Sequence, residues 1–237
     1  LSIKDLNIKL FADGADIVDM KKIYKEGVVK GFTTNPTLMR KSGIVNYQGF
    51  AKEVLKTISD CPISFEVFSD DLKEMERQAL KINSWGKNVY VKIPIMNTRR
   101  VPSYNLIQKL SLSGVKVNVT AVMTVEQVRE VVKVISKDTP TYISVFAGRI
   151  ADTGCNPVPL MAAAVEILKA APAAELIWAS SREVLNIFQA DAIGCQVITV
   201  TNDILQKLSL VGYDLNEYSL DTVKMFYNDA QLSKFEI

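Results

Sequence analysis

The 237-residue sequence predicts an α/β fold, a single (β/α)₈ barrel domain spanning residues 1–237, and three observations carry that reading. Eight short runs of β-branched and apolar residues recur along the chain, with helical patterns between them, and such alternation builds parallel βαβ units. The runs begin at nearly even intervals of 23, 32, 26, 26, 26, 34 and 21 residues. No GxGxxG follows the first run, where the chain reads ADGADI, so the open doubly wound sheet that also fits the pattern lacks its nucleotide signature. Barrels of this class use about 250 residues as one domain, and neither a linker nor a low-complexity tract divides this chain.

In chain order the expected strands are IKLFA at 8–12, GFTT at 31–34, ISFEVF at 63–68, VYVKIPI at 89–95, VKVNVTAV at 115–122, TYISVFA at 141–147, ELIWAS at 175–180 and QVITVT at 196–201. Each gap is expected to hold one helix, as in FAKEVLKTI at 50–58, LKEMERQALKI at 72–82 and VEQVREVVKVI at 125–135. The last two place apolar residues at i, i+3, i+4 and i+7 with charge opposite. A C-terminal extension from about 214 to 237 contains the amphipathic stretch LDTVKMFYNDAQL at 220–232. It is extra to the barrel and is expected to fold over it or onto a neighbouring copy.

Composition excludes several classes. The 28 basic and 26 acidic side chains leave a formal charge of +2, evenly spread, which argues against nucleic-acid or membrane partners. No apolar run approaches the ~18 residues of a membrane span. Cys61, Cys155 and Cys195 are far apart without CxxC spacing, which argues against a disulfide framework and a zinc site and fits a reducing, cytoplasmic setting. There is no histidine. Triads built on imidazole and His-based metal sites are therefore excluded, and no metal or other cofactor is expected.

Barrel strands are normally filled with Val, Ile and Leu, so polar residues near their C-terminal ends are the candidates for chemistry. Lys92 lies among β-branched residues in Val89-Tyr90-Val91-Lys92-Ile93-Pro94. Pointed inward it is shielded from water, which favours the neutral amine that attacks ketones; the alternative is a stem that snorkels to the outer surface. Glu66 sits within an apolar strand, and Asp13 ends the first one, where a helix N-cap is the competing role. A lysine with two carboxylates near one rim suits imine chemistry. Thr33, Thr34 and Asn35 precede Pro36, which stops the second strand and leaves polar groups at the rim. Asn118 and Thr120 share a face of strand five, as do Ser144 and Phe146 at the end of strand six. Arg149 follows Gly148, and Ser180, Ser181 and Arg182 follow strand seven, where barrels commonly bind phosphate.

In this order FADGAD, KGFTTNPTLMRK, the Glu66 strand, VYVKIPI, VNVTAV, SVFAGRI and ASSRE resemble the transaldolase family over nearly the whole chain. TTNPTL at 33–38 and the VKIP lysine motif are the specific pair; GRI alone is weak. The resemblance implies a metal-free class I aldolase barrel with Lys92 as the Schiff-base residue, Asp13 as acid/base, Glu66 as a base acting through an ordered water, and Thr120 positioning that water. It also implies that Asn35 and Ser144 bind donor hydroxyls, that Asn118 lies beside the imine, and that Arg149, Ser180 and Arg182 hold phosphate; Thr33 at the rim and the inward Phe146 are expected from position to line the same substrate site. Val145 departs from the family's SPF motif, where proline stands.

A sister group that cleaves fructose 6-phosphate typically carries Gln at the position of Glu66 and Tyr at that of Phe146, so both positions here take the transferase form. The expected activity is transfer of a dihydroxyacetone unit from sedoheptulose 7-phosphate or fructose 6-phosphate to an aldose phosphate, in the pentose phosphate route. The alternatives are a lyase that releases dihydroxyacetone and a sugar-phosphate sensor without catalysis; the intact Lys92, Glu66 and Asp13 set argues against the sensor. The resemblance, to a compact subfamily shorter than the long transaldolases, implies a homo-oligomer, pentamer or decamer, whose C-terminal helix packs on a neighbouring subunit in a ring.

Overall fold

Eight strands close into a barrel in the computed structural model, which describes residues 5–233. They are β1 (Lys9–Asp13), β2 (Gly31–Thr33), β3 (Ile63–Glu66), β4 (Val89–Pro94), β5 (Val117–Val122), β6 (Thr141–Val145), β7 (Ala174–Trp178) and β8 (Val197–Thr201). Neighbours pair in parallel throughout, and β1 with β8 completes the circle. The chain therefore has the predicted (β/α)₈ architecture, and each expected run overlaps its strand.

The helices are α1 (Ile17–Glu26), α2 (Pro36–Lys41), α3 (Tyr47–Thr57), α4 (Leu72–Asn83), α5 (Tyr104–Leu112), α6 (Val125–Val134), α7 (Ala147–Asp152), α8 (Val158–Leu168), α9 (Leu185–Ala192), α10 (Asn202–Gln206) and α11 (Leu215–Ser233). The expectation of one helix per gap fails where the intervals are longest. The 31–63 and 141–175 intervals hold two helices each, a short one at the rim (α2, α7) and a longer one against the sheet (α3, α8). Starts follow local chemistry: Asp16 caps α1, Asp71 accepts from the Lys73 and Glu74 amides at α4, and Thr124 with Gln127 forms a capping box at α6. Amphipathic spacing then docks each helix; α4 buries Met75, Ala79 and Ile82, and α6 buries Val128 and Val131.

The barrel interior has two tiers, because strand side chains alternate with a period of two. Phe11, Tyr90 and Tyr142 form the lower tier with Ile177 and Val197. Phe11 meets Tyr142 edge-on at 5.5 Å between centroids, and Tyr90 lies 4.3 Å from Tyr142. Gly31 makes this plug possible, since a Cβ there would come within 2.5 Å of the Phe11 ring. Two residues further along the same strands stand Asp13, Lys92 and Ser144, so the upper tier is polar and faces the C-terminal mouth.

None of the described residues of α11 is buried. Up to Ser233 the extension therefore does not fold over its own barrel, one of its two expected fates, and presents Leu220, Val223, Phe226 and Tyr227 outward; residues 234–237 lie outside the described residues.

Phe11 is fully buried at the centre of the plug. Phe11→Ala is expected to lower unfolding free energy by about 3–5 kcal/mol, through lost burial plus a residual cavity. Urea denaturation monitored by circular dichroism measures it, and a loss below ~1 kcal/mol would show that the plug collapses to fill the gap.

Candidate active site

A buried ammonium dictates the arrangement at the C-terminal mouth. Lys92 is 6% exposed, so the external, snorkelling alternative does not occur. Its Nζ donates to the Thr34 carbonyl at 2.8 Å and lies 3.3 Å from Glu66 Oε2. The pairing follows from register, because Glu66 and Lys92 are direct neighbours on β3 and β4.

Asp13 sits on the other side of the same interior. The α1 cap is Asp16, so Asp13 does not serve as the helix N-cap. Its carboxylate accepts from Thr33 Oγ1 at 2.8 Å and, more weakly, from Asn35 Nδ2 at 3.4 Å. Thr33 Oγ1 is also 2.6 Å from Thr199 Oγ1, so one hydroxyl relays to the next. Burial pushes the Asp13 carboxyl above the ordinary carboxylate value; the Lys92 ammonium and the bonds from Thr33 and Asn35 pull it back down.

A second polar chain crosses the back of the site. Ser144 Oγ donates to Asn118 Oδ1 at 2.7 Å, and Asn118 Nδ2 donates to Ser64 Oγ at 2.9 Å. Asn118 is the strand neighbour of Lys92 and is completely buried by these contacts. Thr120 Oγ1 is buried without a protein partner and lies in the cavity wall. Beside it Ala121 takes φ 60°, and the β5–β6 register shifts between Val119 and Val122. The irregularity is a bulge, which bends the strand end and re-aims the side chains there.

These groups surround a cavity of about 350 Å³ whose wall includes Asp13, Thr33, Asn35, Glu66, Lys92, Thr120, Ser144, Phe146, Arg149 and Ser180. Asn35 has a double duty, since its Oδ1 accepts from the Leu38 amide and caps α2. Arg149 stands 5.9 Å from the Phe146 ring, a cation–π distance. Gly148 must be glycine, because a Cβ would overlap the Ser180 carbonyl oxygen at 1.6 Å. Ser180 itself takes the left-handed conformation, with φ 60°.

Arg182 is placed differently from Arg149. Its guanidinium forks onto Asp152, at 3.0 and 2.5 Å, and its third contact is the Ser180 carbonyl at 2.8 Å. It braces the Ser180 loop from outside the cavity wall. Three groups escaped the sequence reading: Thr199, Ser64 and Tyr47. The Tyr47 hydroxyl accepts from the Glu66 amide at 2.7 Å and donates to the Glu66 carbonyl at 3.1 Å, where β2 has ended and offers no ladder partner. Inward spacing from Val197 could have marked Thr199; nothing local marks Tyr47.

Among the described residues Lys92 is the one buried lysine, and it faces carboxylates at the C-terminal mouth of a closed barrel, the layout of an aldolase-type barrel. The family model for transaldolase/fructose-6-phosphate aldolase matches residues 10–237, and the chain belongs to that family. A probable transaldolase of Dehalococcoides mccartyi is 33% identical over 202 residues, covering 85% of this chain and 90% of the relative. One from Thermoanaerobacter is 30% identical and covers 95% of this chain and 99% of its own length. Among solved structures, a candidate fructose-1,6-biphosphate aldolase from Coccidioides immitis shares the fold, with a TM-score of 0.55 at 9% identity, over 84% of this chain and 75% of that one.

Thr33→Val removes a hydrogen bond that favours the Asp13 carboxylate while keeping the side-chain shape. The Asp13 titration, already raised by burial, is expected to move to still higher pH. Carbon-13 NMR of the Asp13 carboxyl reads this directly. An unchanged titration would mean that Thr33 gives its proton elsewhere.

Proposed function

We propose that the protein is a transaldolase that moves a dihydroxyacetone unit between sugar phosphates through an imine on Lys92. The observation that carries this reading is the Lys92 ammonium held 3.3 Å from Glu66 in a cavity that Asp13 also lines. Glu66 is the partner to which Lys92 can pass its proton. The freed amine then attacks the ketose carbonyl, and the carbinolamine loses water with Glu66 acting through a water oriented by Thr120. The imine becomes the electron sink. Asp13 removes the proton of the C4 hydroxyl, the C3–C4 electron pair flows towards the imine nitrogen, and an aldose phosphate leaves. The three-carbon enamine then attacks the aldehyde of a second aldose phosphate, Asp13 returns its proton to the new hydroxyl, and water, activated by Glu66, hydrolyses the re-formed imine to release the new ketose phosphate and the Lys92 amine.

Binding roles follow the cavity wall. Arg149 and the Ser180 loop take the phosphate, with Arg182 bracing that loop; Asn35, Thr33 and Ser144 take hydroxyls. No cofactor enters this scheme. The outward apolar residues of α11 support the reading of a homo-oligomer, pentameric or decameric, in which this helix packs on a neighbouring copy.

Lys92→Arg is expected to abolish transfer and borohydride-dependent labelling by fructose 6-phosphate, with the fold retained, because arginine keeps the charge but supplies no nucleophilic amine. Peptide mapping after reduction locates the adduct; labelling that persists in Lys92→Arg overturns the assignment.

Phe146 separates transfer from cleavage. Release of dihydroxyacetone needs a proton on the bound enamine, and the Phe146 ring in the cavity wall cannot give one. Phe146→Tyr is expected to raise the ratio of free dihydroxyacetone to transfer product, measured with and without acceptor. If the unaltered enzyme already cleaves freely and the ratio does not move, the protein is a lyase of this family.

A further inference from the structure

The N-terminal mouth of the barrel has a cavity of its own, about 650 Å³ and larger than the one at the opposite end. Its lining includes Lys9, Lys30, Lys87 and Lys116, each at the entrance of a strand: the first residue of β1, just before β2, two residues before β4 and just before β5. Among the described residues Asp60 is the one carboxylate in this lining, and it is turned to accept from the Tyr24 hydroxyl at 2.8 Å. The floor is the aromatic tier of Phe11, Tyr90 and Tyr142.

The four ammonium groups are not equivalent. Lys9 is paired with Glu175 at 2.5 Å. Lys116 donates to the Lys87 carbonyl at 2.8 Å, and its Nζ lies 5.6 Å from the centre of the Tyr90 ring. Among the described residues, Lys30 and Lys87 have neither an ion pair nor a side-chain hydrogen bond. A chain with a formal charge of only +2 thus gathers four cations around one concave space. Like charges converging on one concave space repel one another, and a bound anion relieves that repulsion and is drawn in by it.

We propose that this mouth is a second binding site, taking a small ligand with a multivalent phosphate group. Lys30 and Lys87 supply the free ammonium groups, Lys116 the fixed one, and the aromatic floor closes the site from below. The hollow is concave and of ligand size, which favours a small anion over an extended polyanion lying on a surface. The aromatic tier stands between this site and Lys92, so occupancy here does not compete with chemistry at the other mouth.

The test is titration calorimetry with inorganic pyrophosphate on the full chain at low salt. Lys30→Ala, Lys87→Ala and the double variant place changes at exposed lysines, and far-UV circular dichroism checks that each is folded. Arg149→Ala weakens anion binding at the opposite mouth and so isolates the new site. One binding event should persist in Arg149→Ala, weaken about tenfold for each lysine removed, and weaken again with added salt. Orthophosphate should bind less tightly than pyrophosphate. Sugar-phosphate turnover without pyrophosphate should be unchanged in the lysine variants. The proposal is overturned if pyrophosphate binding disappears in Arg149→Ala, if the double lysine variant binds as well as the parent, or if a single-stranded oligonucleotide binds more tightly than pyrophosphate through the same lysines.

Discussion

A cation inside a closed barrel has to be matched where it stands, and the Lys92 ammonium imposes that requirement on everything around it. Glu66 faces it across the β3–β4 ladder, and the Thr34 carbonyl takes one of its protons. Each partner is in turn held. Tyr47 grips the Glu66 backbone at both its amide and its carbonyl, replacing the ladder that β2 is too short to provide. Asp13 is held by Thr33, which is linked to Thr199 on β8, the other neighbour of β1. A half-satisfied network of this kind would cost more than an apolar core, which is why Lys92, Glu66 and Asp13 each have partners held in place by others.

The rim carries the irregular backbone, and its position has a physical sense. Ala121 and Ser180 adopt left-handed conformations that side chains disfavour by about 1–2 kcal/mol. Both border the cavity. The bulge at Thr120–Ala121 sets the direction of the Thr120 hydroxyl, and the tight approach of Gly148 to Ser180 sets the loop beside Arg149. The barrel wall below is regular, which lets these few distorted residues be defined by a rigid support.

The aromatic tier gives the molecule two independent ends. Above it the Lys92 ammonium faces the Glu66 and Asp13 carboxylates; below it lie lysines in excess over carboxylates. The same two-residue alternation produces both, because Phe11, Tyr90 and Tyr142 are each followed by a polar residue one step up the inner face.

The sequence alone determined the barrel class, the eight strand positions and most of the polar upper tier. These are local properties: β-branched runs, helical periodicity, and charge at positions where a strand normally carries none. It also marked Lys92, Glu66 and Asp13 as a set, and its motifs carried the family resemblance. It did not determine which way Lys92 points, because an isolated strand has two faces and only closure of the barrel makes one of them the interior. It could not tell the two arginines apart; Asp152 is thirty residues from Arg182 in the chain, and folding alone brings their groups together. Nor could it find Tyr47, whose role depends on β2 ending early while β3 continues. The evenly spread lysines gave no sign of a basic patch. Strand entrances far apart in the chain become neighbours only around the closed mouth of a barrel, and there the tertiary structure concentrates a charge that the sequence had scattered.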